Sequence, residues 1–154
     1  MNNTTPRNVW VIGDVQGCWS ALQQLKTRLD FDETQDQLWF AGDLVARGED
    51  SLSVLREVKR LHALGAAQTV LGNHDLNLLA VWRGFGRLKT KDNTAPILQA
   101  ADCDELLNWL RQQPLLHFPS EQTVLVHAGI PPQWSAGQAA SRAAEVQDVI
   151  GAGD

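Results

Sequence analysis

The residues of this chain with chemistry to offer sit in four short polar segments: Gly13-Asp14 with Gln16 two positions on, Gly42-Asp43, the run GNHD at 72–75, and HAG at 127–129. Asp14 and Asp43 supply anionic oxygens, Gln16 and Asn73 supply neutral carbonyl oxygens, and His127 supplies an imidazole nitrogen. A mostly oxygen set of this kind suits Mn²⁺, Co²⁺ or Mg²⁺ better than a closed structural zinc site, which draws on thiolates or several imidazoles. One carboxylate, best assigned to Asp43, would bridge two such ions held about 3.5–4 Å apart. Glycines beside the acids let the backbone turn sharply and approach metals and phosphate closely.

Each segment taken singly has a plainer reading. A Gly-Asp after a strand also serves as a turn and helix cap, and a lone His at a strand end is commonly a hydrogen-bonded structural residue. Recurrence decides between the readings. Residues 9–12, 37–41, 68–71 and 123–126 are short runs rich in Val, Leu, Ile and aromatics, and each leads directly into one polar segment. Asp14 and Asp43 are 29 positions apart, and Asp43 and Asn73 are 30, about the length of one β-α-β unit. In open α/β sheets ligands bind beyond the carboxyl ends of the strands, so the four segments are expected to meet in one crevice.

The elements that must position these residues follow from hydrophobic spacing. Leu22, Leu25 and Leu29, and then Leu52, Leu55, Val58 and Leu61, recur at helical intervals between the first three strands. The expected fold is therefore α/β, a β-α-β sheet with helices on both faces. The first strand is apolar throughout, as in strands covered on both sides. Further helices are expected over 76–82, over 104–112 before Pro114, and over 135–150. The chain then ends in GAGD without a returning strand, as a domain cut short at its C-terminus would.

At 154 residues, with 44% hydrophobic and 20% charged, the chain fits one globular domain, taken as 1–154 with a flexible segment at 1–7. The opening MNNTTPRN is not of signal-peptide type, and no run approaches the roughly 18 apolar residues of a membrane span. A cytoplasmic protein with no membrane attachment is expected. Cys18 and Cys103 lie far apart with no C-x-x-C pair, the pattern of reduced thiols. A formal charge of −5 argues against broad nucleic-acid affinity, so a polyanionic substrate must be held by local charge. The cluster Arg83, Arg87, Lys89 and Lys91 offers such charge, whereas His62 and His117 read as structural. Nothing in the sequence indicates a protein partner.

Together GDVQG, GDLVARG, LGNHD and VHAG resemble the motif series of the phosphoprotein-phosphatase-like metallophosphoesterases. More narrowly, GDLVARG, LGNHDLNLLAV, DELLNWLRQQPLL and HAGIPPQW look like the bacterial symmetrical diadenosine tetraphosphatases, over a match from about Val9 to Trp134. The resemblance implies a hydrolase that splits diadenosine tetraphosphate into two ADP through a hydroxide activated by two divalent metal ions, Mn²⁺ or Co²⁺ first and Mg²⁺ next. Nucleotide-capped RNA is a further substrate to consider. The resemblance also implies Asp14, Gln16 and Asp43 around one ion and Asp43, Asn73 and His127 around the other. His74 would be the general acid, Arg47 a phosphate clamp, and Arg83 and Arg87 further substrate contacts. Two alternatives stay open: a protein phosphatase of the same superfamily, and an inactive chain that only binds metal.

Three departures bear on the chemistry. The wider superfamily usually has His where this chain has Gln16, a weaker neutral ligand. Its protein phosphatases carry an Asp at the position of Ala46, where it orients the catalytic His; Asp75 is a substitute, although adjacent residues rarely face one another. Serine leaves as an alkoxide of high pKa, but ADP leaves as a phosphate with a last ionisation near about 6. The absence of that Asp thus favours a phosphoanhydride substrate, and restoring it by Ala46→Asp should change tetraphosphatase activity little. The resemblance further assigns a second metal-binding His and a second phosphate-binding Arg that this sequence does not contain.

Overall fold

The computed structural model describes residues 6–152. Three parallel strands form a sheet in the order β1 (Val9–Ile12), β2 (Gln37–Phe40) and β3 (Ala67–Thr69), joined by α1 (Trp19–Arg28) and α2 (Ser51–Ala63). The register pairs Ile12 with Phe40 and Phe40 with Thr69. The strands therefore end level, and three polar loops leave from the same edge.

One face of the sheet carries the core. Leu38 and Phe40 meet Val54, Leu55, Val58 and Leu61 of α2, all fully buried, and Leu22 of α1 joins the same cluster. Burial of each such side chain stabilises by roughly 1.5–3 kcal/mol, so this seam fixes the sheet against its helices. The opposite face differs from expectation. Val9 is 37% exposed and Val11 62%, so the described residues do not supply the second helical layer that the apolar sequence of β1 implied. The period-2 alternation of β1 is visible only in the structure, because both of its faces carry apolar side chains.

The third strand ends earlier than residues 68–71 suggested. The Leu71 amide leaves the ladder and donates to the Pro114 carbonyl at 2.9 Å. Beyond that joint lies a second sheet, in which β4 (Leu116–Ser120) pairs antiparallel with β5 (Thr123–Val126). The run at 123–126 is thus a strand, as expected, but one of a separate antiparallel hairpin. Its partner LHFPS, which contains His117 and Pro119, escaped notice because Pro discourages a strand reading and the register slips between His117 and Ser120. The remaining helices are α3 (Asn73–Trp82), α4 (Ala95–Leu98), α5 (Cys103–Leu110) and α6 (Ala136–Gly151). Ser135 starts α6 by accepting the Gln138 amide. Among the described residues no helix is long and apolar enough to cross a membrane.

The expected flexible segment 1–7 lies mostly outside the described residues, but Arg7 at its end is held. Its guanidinium donates to the Asp36 carboxylate through Nε at 3.0 Å and Nη2 at 2.7 Å, and the Asn8 amide adds a third bond. This clamp ties the entry of β1 to that of β2. The hydrogen bond from Arg7 brings the Asp36 carboxyl from 3.8 down to about 2. A lowered folded value means that the contribution is full above the unfolded pKa and is lost as pH falls from about 4 towards 2. In acid unfolding followed by circular dichroism, Asp36→Asn should flatten the stability loss across pH 4 to 2; curves parallel to the wild type would contradict this.

Candidate metal centre

Asp14 follows β1, Asp43 follows β2, Asn73 and His74 open α3, and His127 follows β5. One ligand atom each from Asp14, Asp43 and His127 lies within 4.8 Å of the others. His127 Nε2 is 3.2 Å from Asn73 Oδ1 and 3.6 Å from Asp43 Oδ2. The Gln16 amide nitrogen is 3.4 Å from Asp14 Oδ2 and 3.5 Å from Asp43 Oδ2. Five side chains from four loops therefore converge. Asp43 is buried, whereas the Asp14 side chain is 53% exposed, so the centre opens to solvent on the Asp14 side.

The donor set fits a divalent cation. His127 Nδ1 lies 2.8 Å from the Ala41 carbonyl. With the proton placed there, Nε2 carries a lone pair directed at the oxygens of Asn73 and Asp43. Two carboxylates, an amide oxygen and an imidazole lone pair at these separations repel one another unless a cation sits among them. Rotation of the Gln16 amide would present its oxygen to the same point. Four oxygen donors and one nitrogen make a mostly hard set, of the kind a divalent cation takes.

The loop that delivers Asp43 is strained and would not hold this shape alone. Gly42 has φ 90°, Asp43 53°, Ala46 90° and Arg47 61°, all in the left-handed half of backbone space, at roughly 1–3 kcal/mol for each non-glycine residue. A single carboxylate gathers it. Asp75 accepts the amides of Asp43 at 2.8 Å, Gly72 at 2.9 Å, Leu44 at 3.0 Å and Val45 at 3.4 Å. Burial pushes the Asp75 carboxyl up to about 7, against the pull of these N–H groups and with the Asp43 charge adding to the rise. Asp43 Oδ1 in turn accepts the His74 amide at 2.8 Å. Asp75 therefore serves the Asp43 loop and is not the orienter of His74. Among the described residues the His74 imidazole has no hydrogen-bond partner.

At the centre itself, Gly42 and Gly72 have no room for a side chain. A Cβ on Gly72 would overlap the Asp43 carboxylate and amide. One on Gly42 would stand 2.7 Å from the Gly72 nitrogen and 3.0 Å from His127 Nδ1. Ala46 is 1% exposed, and its amide donates to Ser51 Oγ at 3.0 Å. An Asp at 46 would bury a carboxylate on left-handed backbone, so Ala46→Asp confounds catalysis with folding.

The remaining residues singled out by sequence divide. Arg47 lines a pocket with Asn73 and His74 beside the metal centre. Arg83 lies over the Trp82 ring at 5.3 Å and borders an apolar groove between α3 and α6, while Arg87 is exposed and lines neither wall. His62 packs against Trp109, whose Nε1 donates to it at 3.3 Å, and burial lowers its pKa. Cys18 and Cys103 are free thiols. Sequence reasoning missed the role of Asp75 and that of Asn93, which donates to the Arg47 and Gly48 carbonyls. The signal for Asp75 was an acid at the third position of a helix opened by Gly.

Gly72→Ala should weaken Mn²⁺ binding at least about ten-fold in calorimetric titration, since displacing a supported ligand costs that order. Unchanged affinity would contradict the geometry. Asp75→Asn turns an amide donor towards backbone donors and should lower unfolding stability by roughly 3 kcal/mol in urea titration; a loss below about 1 kcal/mol would contradict its holding role.

A family model described as calcineurin-like phosphoesterase matches residues 7–148. The symmetrical bis(5'-nucleosyl)-tetraphosphatase of Erwinia tasmaniensis is 52% identical over 146 residues, which are 94% of this chain and 52% of that protein. Its namesake in Aliivibrio fischeri is 54% identical over 142 residues, 92% of this chain and 52% of that protein. Among solved structures, a candidate diadenosine tetraphosphatase superposes with a TM-score of 0.70 at 34% identity, covering 90% of this chain and 57% of that one. A cold-active protein-tyrosine phosphatase of Shewanella shares the fold at 18% identity, with a TM-score of 0.69 over 95% of this chain and 51% of that one. The chain spans about half the length of the curated relatives it matches. With a family model matched over nearly all of the described residues, and relatives more than half identical over more than nine-tenths of its length, the chain belongs to the calcineurin-like phosphoesterases.

Proposed function

We propose that this chain carries the metal centre of a cytoplasmic hydrolase that splits dinucleoside tetraphosphates symmetrically, diadenosine tetraphosphate giving two ADP. The observation behind this reading is the convergence of Asp14, Asp43 and His127 within 4.8 Å, in a chain 52% identical to a protein named for that reaction. Asp14, Gln16 and Asp43 would hold one divalent ion and Asp43, Asn73 and His127 the other, with Mn²⁺ or Co²⁺ preferred and Mg²⁺ able to serve. When bound, the ions supply Lewis acidity, lowering the pKa of water and neutralising phosphate charge. Arg47 would clamp a phosphate oxygen. Arg83 on Trp82, and Arg87, would meet the nucleoside end of the substrate, and RNA capped through the same phosphate chain is a further substrate.

His74 stands beside this centre, and among the described residues no carboxylate hydrogen-bonds its imidazole. That arrangement suits a leaving group needing little protonation, and ADP, with a last ionisation near about 6, is such a group. An alkoxide is not. His74→Ala should therefore lower kcat on diadenosine tetraphosphate less than about ten-fold but on an alkyl phosphate about a hundred-fold or more; equal losses would contradict the leaving-group reading.

The reaction itself is tested by incubating the chain, and a version extended by the second half of a curated relative, with diadenosine tetraphosphate and a phosphopeptide under Mn²⁺. The resemblance assigns a further His and Arg to that second half, so the extended protein should be at least about 100-fold faster. ADP as sole nucleotide product supports the proposal. ATP with AMP means asymmetric cleavage, and phosphate released from the peptide favours a protein phosphatase.

A further inference from the structure

The basic residues after α3 form one cluster in sequence and two in space. Arg83 faces the apolar groove, whereas Lys89 and Lys91 line a pocket of about 210 Å³ together with Arg47, Asn73, His74 and Asp92. Two of the lining residues, Asn73 and His74, also contact the metal centre. Asn73 Oδ1 lies 3.2 Å from His127 Nε2, and the His74 amide bonds Asp43 Oδ1.

The wall that carries the lysines is built onto the Arg47 loop. A 3-10 turn, Thr90–Asp92, stands between α3 and α4 in the chain with Lys89 at its start. Its Asp92 carbonyl accepts the Arg47 amide at 3.0 Å, and its Asp92 amide donates to the Lys89 carbonyl at 2.9 Å. Asn93, at φ 49°, donates Nδ2 to the carbonyls of Arg47 at 3.3 Å and Gly48 at 3.2 Å. Asp92 is 4% exposed and Thr94 5%, so the turn is anchored although the lysine side chains are open to solvent.

Many cations of the surface are neutralised within the chain. Arg7, Lys26, Arg56, Lys59, Arg60 and Arg142 each pair with a carboxylate. Among the described residues Arg28, Arg87, Arg111, Arg47, Lys89 and Lys91 pair with none, and of these Arg47, Lys89 and Lys91 share one pocket. In a chain of net charge −5, three cations gathered round one pocket against the single carboxylate of Asp92 repel one another until an anion enters. One phosphate beside the metals needs only Arg47. The two lysines leave charge for more.

We propose that this pocket is a subsite for a linear phosphoanhydride chain, in which Lys89 and Lys91 hold phosphates next to the one at the metal centre. The proposal deepens the phosphoesterase reading, and its binding test needs neither metal nor turnover. Inorganic tripolyphosphate, diadenosine tetraphosphate and orthophosphate are titrated calorimetrically into the chain in EDTA. Wild type should bind tripolyphosphate more tightly than orthophosphate, and Lys89→Ala/Lys91→Ala should weaken tripolyphosphate at least ten-fold. Arg28→Ala/Arg142→Ala, which removes the same charge elsewhere, should weaken it less than two-fold. Equal loss in both double variants, no loss in the first, or no preference over orthophosphate would overturn the proposal. Lysine dependence for both chain-bearing ligands assigns the subsite to the dinucleotide; dependence for tripolyphosphate alone assigns it to free polyphosphate, and for the dinucleotide alone overturns it. Lysine-dependent binding in a chain that takes up no Mn²⁺ would sink the metal-centre reading and leave this subsite standing.

Discussion

A buried carboxylate that takes four backbone N–H groups is the constraint on which the site depends. Asp75 collects the amides of Asp43, Leu44, Val45 and Gly72. These amides come from the ends of two neighbouring strands, so one side chain holds two polar loops at a fixed separation. The left-handed residues between Gly42 and Arg47 would relax without such a partner. Ser51, Gln16 and the turn at Thr90–Asp92 finish the task from three other directions. The strain is thereby converted into position: Asp43 points at Asp14 and His127, and Arg47 points at the adjoining pocket.

The centre was legible in the sequence because its residues recur in phase with the sheet. Asp14, Asp43 and Asn73 each fall one β-α-β unit apart, and parallel strands in register must then bring them level. His127 reaches the centre from a different sheet. It was expected at a strand end and lies at one, but the strand belongs to a separate hairpin whose partner contains Pro119 and a shifted register. It arrives at the same place because the Leu71 amide joins the Pro114 carbonyl, which sets the hairpin beside β3.

Other features were not legible because they depend on direction rather than type. The letters NHD do not say that Asp75 turns back to the strand ends while His74 faces the pocket; helix geometry at Gly72 decides that. Four basic residues in nine positions read as one patch, but Arg83 belongs to the face of α3 that meets α6, and Lys89 and Lys91 belong to the turn on Arg47. Likewise Val9 and Val11 look like core and are partly open to solvent. Apolar type fixes a preference for burial, and only the surrounding elements determine whether it is met.

The account makes the metal centre a consequence of these loop contacts, and diffraction tests that most directly. A crystal of the chain grown with Mn²⁺ should show anomalous scattering within about 2.5 Å of the Asp43 carboxylate and of His127 Nε2, with the Asp75 bonds to the Asp43 loop intact. Anomalous density elsewhere only, or a metal bound with Asp43 turned away from His127, would contradict it.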